Sequence, residues 1–468
     1  PHPPRRRPLD RRAPGGGPIA VSELLDETTE VTQQLIRNAC VNDGSPTSGN
    51  EMKSAEMLAS YFDGSGVDLE IYEPLPGRGS LVATIEGSDP TAPTLLLMGH
   101  TDVVPVNEDD WQRDPFGGDL VDGEVWGRGA IDMLCLTGSM AVAVRRLAAS
   151  GWRPRGTLKY LAVADEEAGG EFGARWLLAH QADAVRADYC ITEAGGFDLP
   201  LTSAGGPKLP VMVAEKGVYW CTLRVRGTPG HGSRPFRGDN AIVKAGEIIR
   251  RLSEYRPATV VPDVWRGFVE GMELAPELGA ALLDPNGIGQ ICETATDASY
   301  ARFVHASTHT SMAPTMMRAG TKANVIPDRA RLQLDIRTLP GQTENDVEAM
   351  LADALGELAG SIDIHVDTHD PSTASPMQTP LWDTIQRVSS CLVPGAQIVP
   401  FLATGASDAR FFRAFGTAAY GFSLFSDRLS FTDYSARVHG DDERIDQASL
   451  ALCADLWPAV ARDLLDAS

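Results

Sequence analysis

Five short segments of this chain carry side chains that could hold metal ions or move protons. Gly99-His100-Thr101-Asp102 follows the apolar run Leu95-Leu96-Leu97-Met98. Residues two apart in an extended segment point the same way, so Asp102 can reach the imidazole of His100. A carboxylate on the second ring nitrogen fixes the tautomer of a metal-bound histidine. Trp126-Gly-Arg-Gly-Ala-Ile-Asp132 brings the backbone close through its glycines and ends on an acid at a helix start, where an aspartate more often serves as a cap. Asp165-Glu166-Glu167-Ala-Gly-Gly170 sets three carboxylates side by side after an apolar strand. Burying them costs several kcal/mol unless cations neutralise them. Ile191-Thr-Glu193-Ala-Gly-Gly196 again puts an acid at a strand end, and Val438-His439-Gly-Asp-Asp-Glu443 supplies a histidine before the last helix.

Two histidines and several carboxylates, with no cysteine among them, form a hard-to-borderline donor set. It suits Zn²⁺, Mn²⁺ or Co²⁺ rather than copper or an iron–sulfur cluster. The chain has no H-E-x-x-H, no G-x-S-x-G elbow and no Walker loop, so a metal-bound hydroxide is a better nucleophile here than a side chain.

These segments must be positioned by alternating strands and helices. From about residue 22 to 200 strand-type and helix-type stretches alternate, the pattern of an α/β sheet, whose carboxyl edge is where sites form. A helix is expected over 22–40 with Ser22 as its cap, strands over 94–98, 158–164 and 189–192, and a helix over 133–147. The middle of the chain reads differently. Alternating strands at 218–225 and 331–336, helices at 240–252 and 344–358, and a strand at 362–366 supply five of the six elements of a β-α-β-β-α-β order, as in a ferredoxin-like sandwich, which is the arrangement expected. The stretch 255–312 inside it has weak periodicity. After about residue 375 the α/β pattern returns. The fold class is therefore α/β, with a discontinuous catalytic domain (residues 21–212 and 373–468), an inserted α+β domain (213–372) and a flexible leader (1–20).

Composition excludes several classes. The chain has 468 residues, 63 acidic against 41 basic, and a formal charge of −22. That balance opposes nucleic-acid or anionic-membrane partners, which require a concentrated basic face. No apolar run approaches the roughly 18 residues needed to span a bilayer. The leader, with its arginines and no apolar segment, is not a secretory signal. The seven cysteines are scattered with no C-x-x-C pair, and are read as reduced thiols of a cytoplasmic protein. His180, His305, His309, His365 and His369 lack motif context and are taken as structural or solvated.

Taken together, G-H-T-D-V-V-P, W-G-R-G-A-I-D, D-E-E-A-G-G and V-H-G-D-D-E resemble the co-catalytic zinc peptidase family. That family contains aminoacylase, carboxypeptidase S, glutamate carboxypeptidase and succinyl-diaminopimelate desuccinylase. The resemblance runs in order from about Val21 to the C-terminus. It implies that His100, Asp132 and Glu193 hold one zinc and that Asp132, Glu167 and His439 hold the other, Asp132 bridging, with Co²⁺ or Mn²⁺ as substitutes. It implies Glu166 as general base, Asp102 as the partner of His100, and a cis peptide bond after Asp132.

The resemblance further implies an inserted lid and dimerisation domain. There His231 (in Thr228-Pro-Gly-His231-Gly-Ser) reaches the substrate carbonyl, from a partner subunit in dimeric members. Asn324 (Ala323-Asn324-Val-Ile-Pro), Arg337 (Asp335-Ile-Arg337) and Gly405 (Gly405-Ala-Ser-Asp408) match its substrate-contacting positions. Many members have a lysine soon after the bridging aspartate, whereas Met133-Leu134-Cys135-Leu136 follows here, which bears on substrate subtype. The activity implied is metal-dependent cleavage of the amide bond of small peptides or N-acyl amino acids. The alternatives are a dedicated biosynthetic deacylase, such as a desuccinylase, and a metal-free binding protein on the same fold.

Overall fold

A computed structural model describes residues 18–197, 199, 203 and 205–466. The leader expected over 1–20 lies almost wholly outside the described residues. The first helix is Pro18–Arg37, so Ser22 falls inside it and not at its start.

The large body is built on a nine-stranded sheet. Its centre is a run of parallel strands, Thr157–Val163, Thr94–His100, Tyr189–Thr192 and Ala418–Gly421, paired in that order. Buried on both faces, these strands read as continuous apolar runs rather than alternating ones, and Thr94–His100 is buried from Leu95 onward. Antiparallel strands Ser80–Ile85 and Asp68–Tyr72 extend one side. On the other side Lys208–Glu215 pairs with Ala418–Gly421 and with Gln397–Ala403. Helices Leu134–Ala149 and Gln447–Leu465 pack together, and their buried faces, including Leu136, Met140, Val144, Leu456, Trp457 and Val460, join the main core.

A second, separate core belongs to a four-stranded antiparallel sheet. Its strands lie in the order Ser311–Ala319, Arg329–Thr338, Gly217–Arg226 and Ile362–Asp370, with helices Ala241–Glu254 and Glu344–Leu355 on one face. In chain order this is β-α-β-β-α-β. Strict alternation along Arg329–Thr338 places Ala330, Leu332, Leu334 and Ile336 inward, as a sheet covered on one side requires.

The weakly periodic stretch 255–312, counted from sequence with the inserted domain, behaves otherwise. It forms helices Asp263–Gly271, Pro276–Leu283, Pro285–Thr294 and Ala298–Thr308. Their apolar residues Val264, Trp265, Phe268, Leu282, Ile288 and Val304 join the core of the large body. Phe303 stacks on Phe401 of strand Gln397–Ala403 at 6.1 Å between ring centres. The stretch therefore packs with the large body because its aromatic faces find that body's sheet, not the small one. Among the described residues no helix is long and apolar enough to cross a membrane.

Candidate metal centre and catalytic site

The three central parallel strands end at one edge of the sheet, and each hands an acid or imidazole to it. His100 is the last residue of its strand, Asp165-Glu166-Glu167 follows Val163, and Glu193 follows Thr192. Asp132 and His439 arrive from loops on the same side. Three of the supporting positions are non-glycine residues in left-handed backbone: Asp165 (φ +70°), Ala194 (φ +70°) and His439 (φ +58°). Such conformations persist where surrounding contacts over-determine them and cluster at functional sites. Gly196 (φ +72°) has no such choice, since a Cβ there would sit 1.7 Å from the Ser423 carbonyl. The Asp132–Met133 peptide bond is cis.

The two oxygens of Asp132 face different histidines. Oδ1 lies 3.2 Å from His100 Nε2, and Oδ2 lies 3.2 Å from His439 Nε2. Glu193 Oε2 is 3.8 Å from His100 Nε2, and Glu167 Oε2 is 3.2 Å from His439 Nε2. The structure thus brings together all five residues that sequence proposes as ligands, with Asp132 between the two groups. Glu166 joins them: ligand atoms of His100, Glu166 and Glu193 lie within 4.8 Å of one another, as do those of His100, Asp132 and Glu167.

The electrostatics call for added positive charge. Burial raises the carboxyl groups of Glu166 and Glu193 well above the usual range, and neighbouring acids add to it. Burial and Asp132 likewise raise Glu167. Burial disfavours a charged His100, yet Asp132, Glu193 and Glu166 lift its pKa well above the ordinary value. Hydrogen bonds to Asp132 and Glu167 push His439 up to about 10. Excess carboxylate held by two imidazoles, with no thiol, is a donor set that fits hard-to-borderline divalent cations.

The spacing of His100 and Asp102 predicts a carboxylate–imidazole contact, and here the structure differs. His100 Nδ1 is 2.9 Å from the main-chain carbonyl of Asp102, while the Asp102 carboxylate stands 3.6 Å off. That carboxylate is engaged elsewhere. It accepts the backbone N–H groups of Glu166 (3.2 Å) and Glu167 (3.1 Å) and the side-chain amide of Asn42 (2.9 Å). A carbonyl acceptor fixes the ring tautomer as well as a carboxylate would.

Glu443 is the supporting residue that motif reading did not single out. Fully buried, it accepts N–H donors from Gly129 (2.9 Å), Ile131 (2.7 Å) and Asp132 (3.0 Å), and the Arg128 guanidinium at 2.8 Å. Arg128 in turn donates to the His439 carbonyl at 3.3 Å. One carboxylate therefore ties the Asp132 loop to the His439 loop. The signal in the sequence was the acid ending Val438-His439-Gly-Asp-Asp-Glu443, but nothing in it marked which loop it serves.

Of the remaining sequence candidates, His231, Asn324 and Arg337 belong to the small domain, and Gly405 follows strand Gln397–Ala403. His231 is exposed at a tip of the small domain, with Nδ1 2.8 Å from Ser233 Oγ. Its neighbour Gly232 donates to the Asn324 carbonyl at 2.8 Å, so His231 and Asn324 share that tip. Arg337 makes a two-toothed pair with Asp335 (2.7 and 3.2 Å) at the end of the small sheet. Gly405 is an exposed bend with open space around it, and a left-handed φ is not what requires glycine there. Among the described residues no side-chain hydrogen bond or ion pair joins these four to the cluster around Asp132.

The chain belongs to the peptidase family M20/M25/M40, whose model matches residues 96–463. Pig aminoacylase-1 is 27% identical over 397 residues, covering 84% of this chain and 85% of the relative. The human N-fatty-acyl-amino acid synthase/hydrolase PM20D1 is 28% identical over 374 residues, covering 77% and 72%. In fold, the chain is similar to an M20 family metallo-carboxypeptidase from Sulfolobus solfataricus, with a TM-score of 0.71 at 16% identity, covering 94% of this chain and 99% of that one. It is also similar to human carnosine dipeptidase 1, with a TM-score of 0.66 at 17% identity, covering 96% and 98%.

Proposed function

We propose that this protein is a dinuclear metal hydrolase that cleaves the amide bond of N-acyl amino acids or small peptides. The observation that carries it is Asp132, whose two oxygens are shared between His100 with Glu193 and His439 with Glu167. Those five residues would hold two divalent cations, with zinc the first choice and cobalt or manganese as substitutes. When bound, such a pair polarises a carbonyl and lowers the pKa of water.

The chain's own groups supply the rest. Glu166 lies beside the ligands and takes the proton from the attacking water, then returns it to the leaving amine. Asp102 holds the Glu166–Glu167 turn through its two backbone N–H groups, and its carbonyl orients His100. His231 supplies a donor to the developing oxyanion when its domain closes over the site. Asn324 accompanies it at the tip. Arg337 exchanges Asp335 for the free carboxylate of the substrate, a planar fork to which a guanidinium is suited. Gly405 belongs to a loop flanking the pocket.

Closure would involve a second copy. Among the described residues, eight of the twelve exposed large hydrophobics lie in the small domain, including Phe236 (86% exposed) and Val243 (69% exposed). Spread over the open sheet face and the helix side alike, such a concentration points to contact with another chain, and a homodimer through this domain is the occupant we favour. We place the protein in the cytoplasm, with no nucleic-acid or membrane partner.

The two relatives above are named for N-acyl amino acid chemistry, which favours deacylation over peptide cleavage within this reading. A release assay over N-acyl amino acids and dipeptides, with added Zn²⁺, Mn²⁺ or Co²⁺, tests it. Turnover of many acyl amino acids or peptides is expected. Turnover of one acyl substrate alone would establish the dedicated deacylase instead, and metal-independent or absent turnover would overturn both.

A further inference from the structure

Behind the Glu166–Glu167 turn lies a buried ion cluster that no motif announced. Arg78, in the loop between strands Asp68–Tyr72 and Ser80–Ile85, is 1% exposed. Its guanidinium spreads over three acceptors: Nη1 donates to the Ser48 carbonyl (2.8 Å), and Nη2 contacts Glu51 Oε1 (3.0 Å) and Asp165 Oδ1. Phe172 covers it, with the ring centre 5.8 Å from Cζ. The approach is close enough to dictate a neighbour. Gly49 has φ +83°, and a Cβ there would lie 2.5 Å from Glu51 Oε1 and 2.8 Å from Arg78 Cζ.

The cluster leads directly to the catalytic turn. Asp165 opens that turn in left-handed backbone, its N–H donating to Glu51 Oε1 at 3.2 Å and its Oδ2 accepting the Phe172 N–H at 2.8 Å. Asn42 uses one side-chain amide to bridge Asp165 Oδ1 (3.1 Å) and Asp102 Oδ2 (2.9 Å). Asp102 then accepts the N–H groups of Glu166 and Glu167. Glu51, Asp102 and Asp165 are all at most 2% exposed. A buried guanidinium is the counter-charge that lets three such carboxylates stay close, and its loss leaves them to repel one another.

We propose that Arg78 is a positioning residue: its guanidinium, acting through Asp165, Asn42 and Asp102, sets where the carboxylates of Glu166 and Glu167 stand. The proposal rests on the reading that these two glutamates serve a metal hydrolase. A lysine cannot replace the fork, because one ammonium does not meet three acceptors set apart around a plane.

The test uses the full-length protein loaded with Co²⁺, whose visible absorption reports ligand geometry without any substrate. Arg78→Met is expected to change the shape of the Co²⁺ bands, and to lower kcat about 100-fold per loaded site with KM within about threefold. Arg78→Lys should recover only part of this. Arg78→Ala should recover activity and the original bands on adding guanidinium ion. An Arg78→Met protein that binds two equivalents of Co²⁺ with wild-type bands and wild-type kcat overturns the proposal, whatever its loss in thermal stability. If Arg78→Met does not fold, Asn42→Leu decides, because it cuts the bridge while leaving the guanidinium cluster in place: the same changes support the proposal and wild-type behaviour refutes it. Wild-type protein that binds Co²⁺ yet releases no amine from any substrate refutes the hydrolase reading, while the band comparison still judges Arg78.

Discussion

Replacing Glu443 by glutamine tests whether one buried carboxylate positions both halves of the metal centre. Its Oε1 serves the N–H groups of Ile131 and Asp132, and its Oε2 serves Gly129 N–H and Arg128. Glutamine keeps one oxygen, which can go on serving the first pair. The amide nitrogen then faces two donors. An orphaned buried N–H such as that of Gly129 costs about 1–3 kcal/mol. Arg128, 3% exposed, becomes a buried cation without its counter-charge, at about 3–5 kcal/mol. The two losses share one oxygen and do not add, so about 4 kcal/mol is expected for the metal-free protein.

Part of that loss falls on the metals, because Arg128 and Glu443 together hold the Asp132 and His439 loops. Affinity should drop 10- to 100-fold, roughly what outer-layer partners of metal ligands are worth. The urea midpoint of the stripped protein and competition for Zn²⁺ against a chelating dye measure the two quantities. A variant with wild-type midpoint and wild-type affinity refutes the reasoning entirely. Lower stability with unchanged affinity refutes the link to the metal centre.

Three further outcomes follow from the same geometry. Elemental analysis after gentle purification should find two divalent ions per chain, and anomalous density for a single ion bound to one oxygen of Asp132 would contradict this. Glu166→Gln should lower kcat by about 10²–10⁴ with both metals retained, whereas Glu167→Gln should lower metal occupancy; equal metal loss in both variants would show the pair to be wrongly divided. His231→Ala should cut kcat by about 10²–10³ with metal content unchanged, and mixing it with Glu166→Gln should restore activity through hybrid dimers. Wild-type turnover by His231→Ala would remove the role, and absence of rescue would remove its cross-subunit part.

The proposed metal ligands were legible in the sequence partly because chemistry restricts them. A divalent cation accepts few donor types, and an α/β sheet delivers them at strand ends, so the segments of His100, Asp165-Glu166-Glu167 and Glu193 stood out where apolar runs stop, while the choice of Glu167 over its neighbours and the parts of Asp132 and His439 came from the family resemblance. The small sheet was legible for a similar reason: one covered face imposes alternation on Arg329–Thr338 that survives in the residue order. Other features are decided by contacts between residues far apart in the chain, for which no spacing rule exists. Glu443 meets Asp132 across 311 residues and Arg78 meets Asp165 across 87. The helices between 263 and 308 join the large body because Trp265, Phe268 and Phe303 find the sheet strand carrying Phe401, a match that weak periodicity conceals. Asp102 shows both sides at once. Its place two residues after His100 marked it for the site, but a short acid can turn either to the imidazole or to the turn behind it. Only the folded chain, which brings the N–H groups of Glu166 and Glu167 within 3.2 Å, decides that its carboxylate turns to them.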